Sequence, residues 1–193
     1  MKKSQSFRAA IQQLEFLRSE ISLMVNRRWW RWFGVLFGTS FLIIAIYRFD
    51  RALFLLLGRL WILLRILLSP VAFVLGPWTG RWHCTIHYQA EIDKGLRILH
   101  PELGILVTKY AVAGKSLTLT GGNLIGGKRG LKFGDITIGD NVILGAQAVV
   151  LGPIKIGNNT IIGAGSVALE NVGDDNVLFG VPAHPLFTRQ RRK

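Results

Sequence analysis

Hydrophobic residues recur at every sixth position between residues 138 and 167, where the chain reads IGDNVILGAQAVVLGPIKIGNNTIIGAGSV. The aliphatic column consists of Ile138, Leu144, Val150, Ile156 and Ile162. Glycine follows four of these five residues, and a second column holds small or branched residues. This period is typical of a β-helix, in which each hexapeptide forms one short strand and one tight turn. Three hexapeptides close a triangular coil, and the coils must stack because each exposes an unpaired edge.

The same register begins upstream and is interrupted twice. Aliphatic or small residues stand six positions apart from Ile86 to Ile98, and again from Val107 to Ile125. The segment LHPELGIL stretches the step between these two runs, so it is predicted to be irregular. The segment GGKRGLKFGD separates Ile125 from Ile138 and is predicted to leave the prism as a loop. Residues 81–193 are therefore predicted to form one β-helical domain with a basic C-terminal tail.

Residues 1–80 follow a different, helical pattern. One face of a predicted amphipathic helix over residues 7–25 carries apolar residues at helical spacing: Phe7, Ile11, Leu14, Leu17, Ile21 and Leu23 or Met24. Such a helix either packs against another helix or lies on a membrane surface, and the pattern fits both.

Two apolar segments follow this helix. The charge-free run over residues 33–47 would span roughly 22 Å as a helix, which is less than the ~30 Å hydrocarbon core of a bilayer. Arg59 and Arg65 interrupt the second run, residues 52–76. A helix in the membrane interface can direct both side chains into the headgroups. The pattern predicts two membrane-inserted helices in a shallow hairpin or in one leaflet, with a two-span hairpin as the alternative.

Charge changes this picture in two respects. The net charge of +13 includes basic residues beside the apolar segments, which indicates anionic lipid as a partner. No nucleic-acid motif accompanies these basic residues, so we expect no nucleic-acid partner. Arg27, Arg28, Arg31 and Arg81 flank the apolar segments and predict that both ends face the cytoplasm. The single cysteine, Cys84, excludes an internal disulfide.

The residues around the repeat resemble a known family. The segment IHYQAEIDKGLRILH, the irregular step, the loop after LIGG, the hexapeptide run and FGVPA stand in the order of the serine acetyltransferase branch of the hexapeptide-repeat acyltransferases. The apolar N-terminal region instead resembles that of membrane-associated O-acetyltransferases from bacterial exopolysaccharide and lipopolysaccharide clusters. The resemblance implies a left-handed parallel β-helix, a homotrimer with active sites between neighbouring prisms, and acetyl-CoA as the acyl donor.

The resemblance implies that His100 is the general base, because it follows an aliphatic pair at the register break. A neutral imidazole within about 3 Å of a hydroxyl can accept its proton near neutral pH. The alternative is a histidine that only shapes the turn before Pro101. Asp135 is the second catalytic candidate, because it follows the long loop where the family has another histidine. Asp135 can receive a hydroxyl or orient His100, and so can Glu102.

The donor site is predicted at small-residue corners of the prism. The predicted acetyl-CoA-binding residues are Gly145, Ala146, Lys155, Gly163 and Ala164. Four of them are small enough for a pantetheine arm to approach the backbone, although tight turns need small residues in any case. Lys155 is positioned to meet a phosphate. The histidine pattern of zinc-binding β-helix carbonic anhydrases is missing, so we expect no metal site.

Two departures from the family bear on the acceptor. Leu99 and Thr85 stand where the serine-specific members carry aspartates. A buried ammonium group without a carboxylate partner is costly, so serine is expected to be a poor acceptor. A sugar hydroxyl needs no such partner, and Thr85, Asn123 and Asp135 are candidates to hold it.

The sequence therefore predicts an acetyl-CoA-dependent O-acetyltransferase at the cytoplasmic face of a bacterial inner membrane. Its expected acceptor is a sugar hydroxyl of a lipid-linked polysaccharide precursor, and its expected assembly is a homotrimer. Two alternatives stay open: a membrane-anchored serine O-acetyltransferase, and a trimeric β-helical scaffold without catalytic activity.

Overall fold

The computed structural model describes residues 2–25, 38–71, 73–74, 83–127 and 129–188. The chain divides into two compact units between residues 82 and 83. The first unit is helical, and the second consists mainly of short β-strands. Residues 26–37, Arg81 and the basic tail RQRRK at 189–193 lie outside the described part of the chain.

The described part of the first unit includes three helices with defined bounds. They are α1 (Lys2–Val25), α2 (Thr39–Leu57) and α3 (Arg59–Leu67). Gly58 separates α2 from α3 with a φ of 56°, a left-handed conformation that glycine adopts without strain. None of the helices in the described segments combines the length and the apolar composition that crossing a bilayer requires.

A buried polar cluster joins α1 to α2. Arg48 is fully buried, and its guanidinium donates to Gln13 Oε1 at 3.0 Å and to Glu20 Oε2 at 3.2 Å. Its Cζ also lies 5.1 Å from the centre of the Phe16 ring. A buried guanidinium needs such partners because desolvation of an unpaired charge is costly.

The predicted apolar stripe of α1 is buried only in part. Leu17 is buried together with Gln13 and Glu20, whereas Phe7 and Ile11 remain exposed. The packing face is therefore partly polar and is specified by the ion pair with Arg48. Within the stripe, the side chains that stay on the surface of this unit include Phe7, Ile11 and Leu14.

The second unit is a parallel β-solenoid, which confirms the predicted hexapeptide architecture. Its strands are β1 (Cys84–Ile86), β2 (Glu91–Ile92), β3 (Arg97–Ile98), β4 (Ile105–Val107), β5 (Ala111–Ala113), β6 (Thr118–Leu119), β7 (Asn123–Gly127), β8 (Ile136–Ile138), β9 (Ile143–Leu144), β10 (Val149–Gly152), β11 (Ile154–Ile156), β12 (Ile161–Ile162), β13 (Val167–Ala168), β14 (Asn176–Phe179) and β15 (His184–Thr188).

Three sheets form the faces of this solenoid. The first sheet has the order β1-β4-β7-β10-β13, the second has β2-β5-β8-β11, and the third has β3-β6-β9-β12-β14-β15. All pairs are parallel except β14 with β15, which closes the third sheet with an antiparallel strand. The chain thus visits the three sheets in turn, and each circuit forms one coil.

The sixfold hydrophobic column fills the interior. Ile138, Leu144, Val150, Ile156 and Ile162 are at most 4% exposed. Each stacks on its equivalent in the next coil: Leu144, for example, pairs with Leu119 on one side and Ile162 on the other. Burial of these aliphatic side chains supplies the main stabilisation of the solenoid.

Both interruptions of the repeat are accommodated between sheets. The first is a 3-10 turn, Pro101–Leu103, between β3 of the third sheet and β4 of the first. The second is the loop between β7 and β8, which leaves the first sheet and returns at Asp135. Within that loop the Leu131 side chain is only 9% exposed, so the loop folds back onto the solenoid.

Candidate active site

His100 lies at the corner where the chain turns from the third sheet into the first. The turns that make this passage stack on one another, and we call them the 3–1 edge: residues 99–104, 120–122, 145–148 and 163–166. The His100 side chain is 59% exposed, so its imidazole is accessible to solutes.

The His100 imidazole pairs with one carboxylate. Its Nδ1 lies 3.0 Å from Oε1 of Glu102, two residues further along the same turn. The pKa of the Glu102 carboxyl is held below its usual value, first because its own backbone N–H donates to it and then because His100 does. Glu102 is therefore a carboxylate at neutral pH. The sequence offers Glu102, like Asp135, as a group that can receive a hydroxyl or orient His100, and the structure places Glu102 in contact with His100.

Backbone contacts with the next coil fix the position of His100. Its N–H donates to the Thr120 carbonyl at 2.8 Å. A side chain on Gly121 would place its Cβ 2.3 Å from the His100 carbonyl oxygen, so the two turns approach as closely as glycine permits. These contacts therefore fix the backbone of His100 at the corner where the repeat is interrupted.

Cys84 supports the same turn from inside the prism. Its Sγ donates to the Pro101 carbonyl at 3.1 Å, and the side chain is buried. Burial raises the pKa of this thiol, so Cys84 is a packing group and not a nucleophile at neutral pH. Sequence reasoning missed this role because nothing in the local pattern relates residue 84 to residue 101.

Asn123 organises the next corners of the 3–1 edge. Its Oδ1 accepts from the Gly121 N–H at 2.9 Å, and its Nδ2 donates to the Gly145 carbonyl at 2.7 Å. The residue is 2% exposed. Its amide is thus committed to the backbone, so the expectation that Asn123 holds an acceptor hydroxyl is wrong.

Four of the predicted donor-site residues lie on the same edge as His100. Gly145 and Ala146 occupy the corner two coils away, and Gly163 and Ala164 occupy the following one. At the spacing of neighbouring strands these corners lie roughly 10 Å and roughly 15 Å from the His100 turn. A side chain at Gly145 would place its Cβ 2.6 Å from the Ala164 backbone nitrogen, so close stacking also requires glycine there.

Asp135 and Lys155 lie elsewhere on the chain. Asp135 ends the long loop at the corner between the first and second sheets, and its Oδ2 accepts from the Lys132 N–H at 2.7 Å. Lys155 is the exposed middle residue of β11 in the second sheet. A single chain does not bring either residue to the 3–1 edge beside His100.

Exposed aliphatic side chains border the His100 turn. Leu99, Leu103 and Leu106 are 46%, 50% and 43% exposed. Exposed aliphatic side chains therefore lie on or beside the turn that carries the imidazole, and Glu102 is the acidic group in contact with the ring. Within the segments that the structure describes, no group of three or more histidine, cysteine or acidic residues is arranged to hold a metal ion.

Comparison with known proteins bears on the repeat and on the fold. Residues 135–168 match the family described as bacterial transferase hexapeptide (six repeats). Among curated proteins, no sequence matches the chain.

Solved serine acetyltransferases share the fold. The enzyme from Neisseria gonorrhoeae superposes with a TM-score of 0.74 at 27% identity, covering 98% of this chain and 70% of its own. The enzyme from Brucella abortus gives 0.74 at 25% identity, covering 96% and 73%. The soybean apoenzyme gives 0.72 at 27% identity, covering 94% and 72%. This chain thus carries the bacterial transferase hexapeptide repeat on a solenoid similar to that of serine acetyltransferases.

Proposed function

We propose that this protein transfers an acetyl group from acetyl-CoA to an acceptor hydroxyl, with His100 as the general base. One observation carries the proposal: an accessible imidazole is held on a rigid corner of a solenoid similar to that of serine acetyltransferases. Among the described residues, the nearby thiol is buried and bonded to a carbonyl, so the chemistry rests on a base and not on a covalent acyl-enzyme.

The proposed reaction is a direct transfer in a ternary complex. His100 Nε2 accepts the proton of the acceptor hydroxyl as its oxygen attacks the thioester carbonyl carbon. The carbon–sulfur bond then breaks, and the imidazolium returns the proton to the leaving CoA sulfur. The products are an acetyl ester and free CoA thiol. Holding both substrates on one edge supplies the proximity that such a transfer needs.

We propose that the donor follows the 3–1 edge. An extended pantetheine arm can pair with backbone groups at the corners of Gly145-Ala146 and Gly163-Ala164, where small side chains leave the backbone accessible. Asp135 and Lys155 can take part in this site only if they belong to a neighbouring chain. A cyclic trimer fits that requirement, because its heterologous interfaces bring different surfaces of adjacent copies together.

The outer surface of the first sheet supports such a trimer of left-handed prisms. Leu106, Leu124, Val149 and Val167 align in successive coils on this surface. Leu106 is 43% exposed and the other three are partly exposed. A continuous aliphatic ladder of this kind is suited to burial against another copy of the chain.

Two acceptors have support from different observations. The exposed aliphatic side chains of Leu99 and Leu103 favour an uncharged hydroxyl, such as that of a sugar on a lipid-linked polysaccharide precursor. The similarity to serine acetyltransferases, one of them solved in complex with serine, favours serine. We propose the sugar, because serine brings an ammonium and a carboxylate to a surface with one charged contact group.

We further propose attachment at the cytoplasmic face of a bacterial inner membrane through the helical unit. The exposed apolar side chains cluster after Gly58, where Leu63, Ile66 and Leu67 are 64%, 65% and 74% exposed. Arg59 lies in the same segment and complements anionic headgroups. A helix of this composition is suited to lying in the membrane interface.

The acceptor assay tests the proposed function. Purified full-length protein is incubated with acetyl-CoA and either serine or a membrane glycolipid extract, and acetylated products are identified by mass. We expect an acetylated glycolipid and at most trace O-acetylserine. Efficient O-acetylserine formation without a glycan product would establish the serine alternative, and a lack of transfer to either would favour the scaffold.

A further inference from the structure

We infer that Glu102 is the positioning residue of the site: its carboxylate keeps the proton of the neutral His100 imidazole on Nδ1, so that Nε2 presents its lone pair to the acceptor. The catalytic consequence of this inference rests on the proposed function. The position of the proton does not, because it is a property of the free protein.

The turn that carries both residues defines their geometry. Pro101 occupies the first position of the 3-10 turn, where its ring fixes φ at about −65°. The Gly104 N–H donates to the Pro101 carbonyl at 3.0 Å and ends the turn. Gly104 has a φ of 81°, which a residue with a side chain would adopt only with strain. These constraints set the directions in which His100 and Glu102 leave the backbone.

Contacts outside the turn prevent it from shifting. The Pro101 carbonyl also accepts from Cys84 Sγ inside the prism, and the His100 N–H is bonded to Thr120 in the next coil. The close approach of Gly121 to the His100 carbonyl leaves no room for movement toward that coil. The backbone positions from which the two side chains extend are therefore fixed, and Nδ1 lies 3.0 Å from Oε1.

The charge of Glu102 decides which nitrogen carries the proton. The hydrogen bond from its own backbone and the contact with His100 both lower the pKa of the Glu102 carboxyl. An ionised carboxylate only accepts hydrogen bonds, so Nδ1 must be the donor. A neutral imidazole protonated at Nδ1 has its acceptor lone pair at Nε2. No described residue hydrogen-bonds to Nε2, which leaves this nitrogen available to an acceptor hydroxyl.

This pair contributes little to the stability of the fold. Both side chains are more than half exposed, and exposed ion pairs add little because water screens them. The contact instead selects one tautomer and one ring orientation. Substitutions at Glu102 should therefore alter the imidazole without unfolding the solenoid.

Nitrogen-15 NMR of the histidine side chains in the full-length protein tests this inference. The His100 signals are identified by their loss in His100→Gln. In the wild type at a pH where His100 is neutral, we expect a protonated Nδ1 and an unprotonated Nε2. Glu102→Ala should populate the other tautomer, whereas Glu102→Gln, whose amide oxygen still accepts, should retain more of the original form. Glu170→Ala removes an exposed acid in another coil and should change nothing at His100.

A second measurement connects the tautomer to catalysis. With an identified acceptor, Glu102→Ala should lower kcat by about tenfold and leave KM nearly unchanged, a smaller loss than the ~100-fold or more expected on removing the base itself. A wild-type His100 protonated at Nε2, or tautomer populations unaffected by Glu102→Ala, would overturn the inference. If the tautomer responds as expected while the wild type transfers no acetyl group, the proposed function fails and the role of Glu102 in holding His100 stands.

Discussion

At the residue scale, the candidate site depends on groups that lie behind the exposed His100 side chain. The Cys84 thiol and the Thr120 carbonyl hold opposite sides of the turn that carries His100. Asn123 bonds to Gly121 and Gly145 and thereby links two further corners of the 3–1 edge. A site of this kind is positioned from inside the prism, so substitutions beneath it should affect it as strongly as substitutions on its surface.

The reactivity of Cys84 follows from its burial. The thiolate is the reactive form, and burial raises the pKa of this thiol above its ordinary value of 9.0. At neutral pH the native protein should therefore react with iodoacetamide much more slowly than the unfolded chain. The native rate should rise only at a pH above that at which a free thiol ionises. Mass spectrometry measures both rates, and equal rates for the native and unfolded protein would contradict the predicted burial.

At the element scale, the sequence predicts the solenoid well and the helical unit less well. The period of six identifies strands because side-chain direction within each short strand is set locally, and Leu144 is buried as its register requires. The polar α1–α2 contact was not predicted, because pairing of Arg48 with Glu20 joins residues on separate helices. The same limitation applies to the site: His100 stands out at a register break, whereas the contact with Glu102 depends on the conformation of the turn.

Two adjacent residues of β9 provide a matched test of the register. Leu144 points into the prism and is fully buried, whereas Ile143 points outward and is 39% exposed. Leu144→Ala should lower the free energy of unfolding by about 2–5 kcal/mol, because it leaves a cavity that the stacked coils cannot close. Ile143→Ala should cost less than about 1 kcal/mol in the isolated chain. Denaturant unfolding measures both, and a larger loss for Ile143→Ala would mean that the outward surface is buried in the assembly.

At the scale of the whole molecule, the proposed activity combines a solenoid with an apolar helical unit. A lipid-linked acceptor diffuses in the membrane surface, so an enzyme attached there meets it at a higher effective concentration. The proposed trimer would contact the membrane through three helical units, because each chain contributes one. The proposed membrane attachment and the proposed sugar acceptor are therefore compatible, while serine, a soluble acceptor, would gain nothing from the exposed apolar side chains.

Membrane attachment predicts resistance to salt. Full-length protein should float with vesicles that contain phosphatidylglycerol, and 1 M salt should not release it, because apolar insertion persists when charges are screened. The double substitution Leu63→Glu and Leu67→Glu should weaken this binding, because both side chains are apolar, exposed and part of α3. Leu103→Glu, in the solenoid, provides the control and should bind as the wild type does. Complete release by salt would indicate purely electrostatic attachment.

The most direct test of the central claim measures thiol release from acetyl-CoA by the wild type and by His100→Ala in the presence of the acceptor identified by mass. The wild type should release CoA thiol in proportion to acetylated product. His100→Ala should keep the same oligomeric state and thermal stability, since the side chain is exposed, and should lose at least ~100-fold in rate. Undiminished thiol release and product formation by a folded His100→Ala protein would contradict the assignment of His100 as the base.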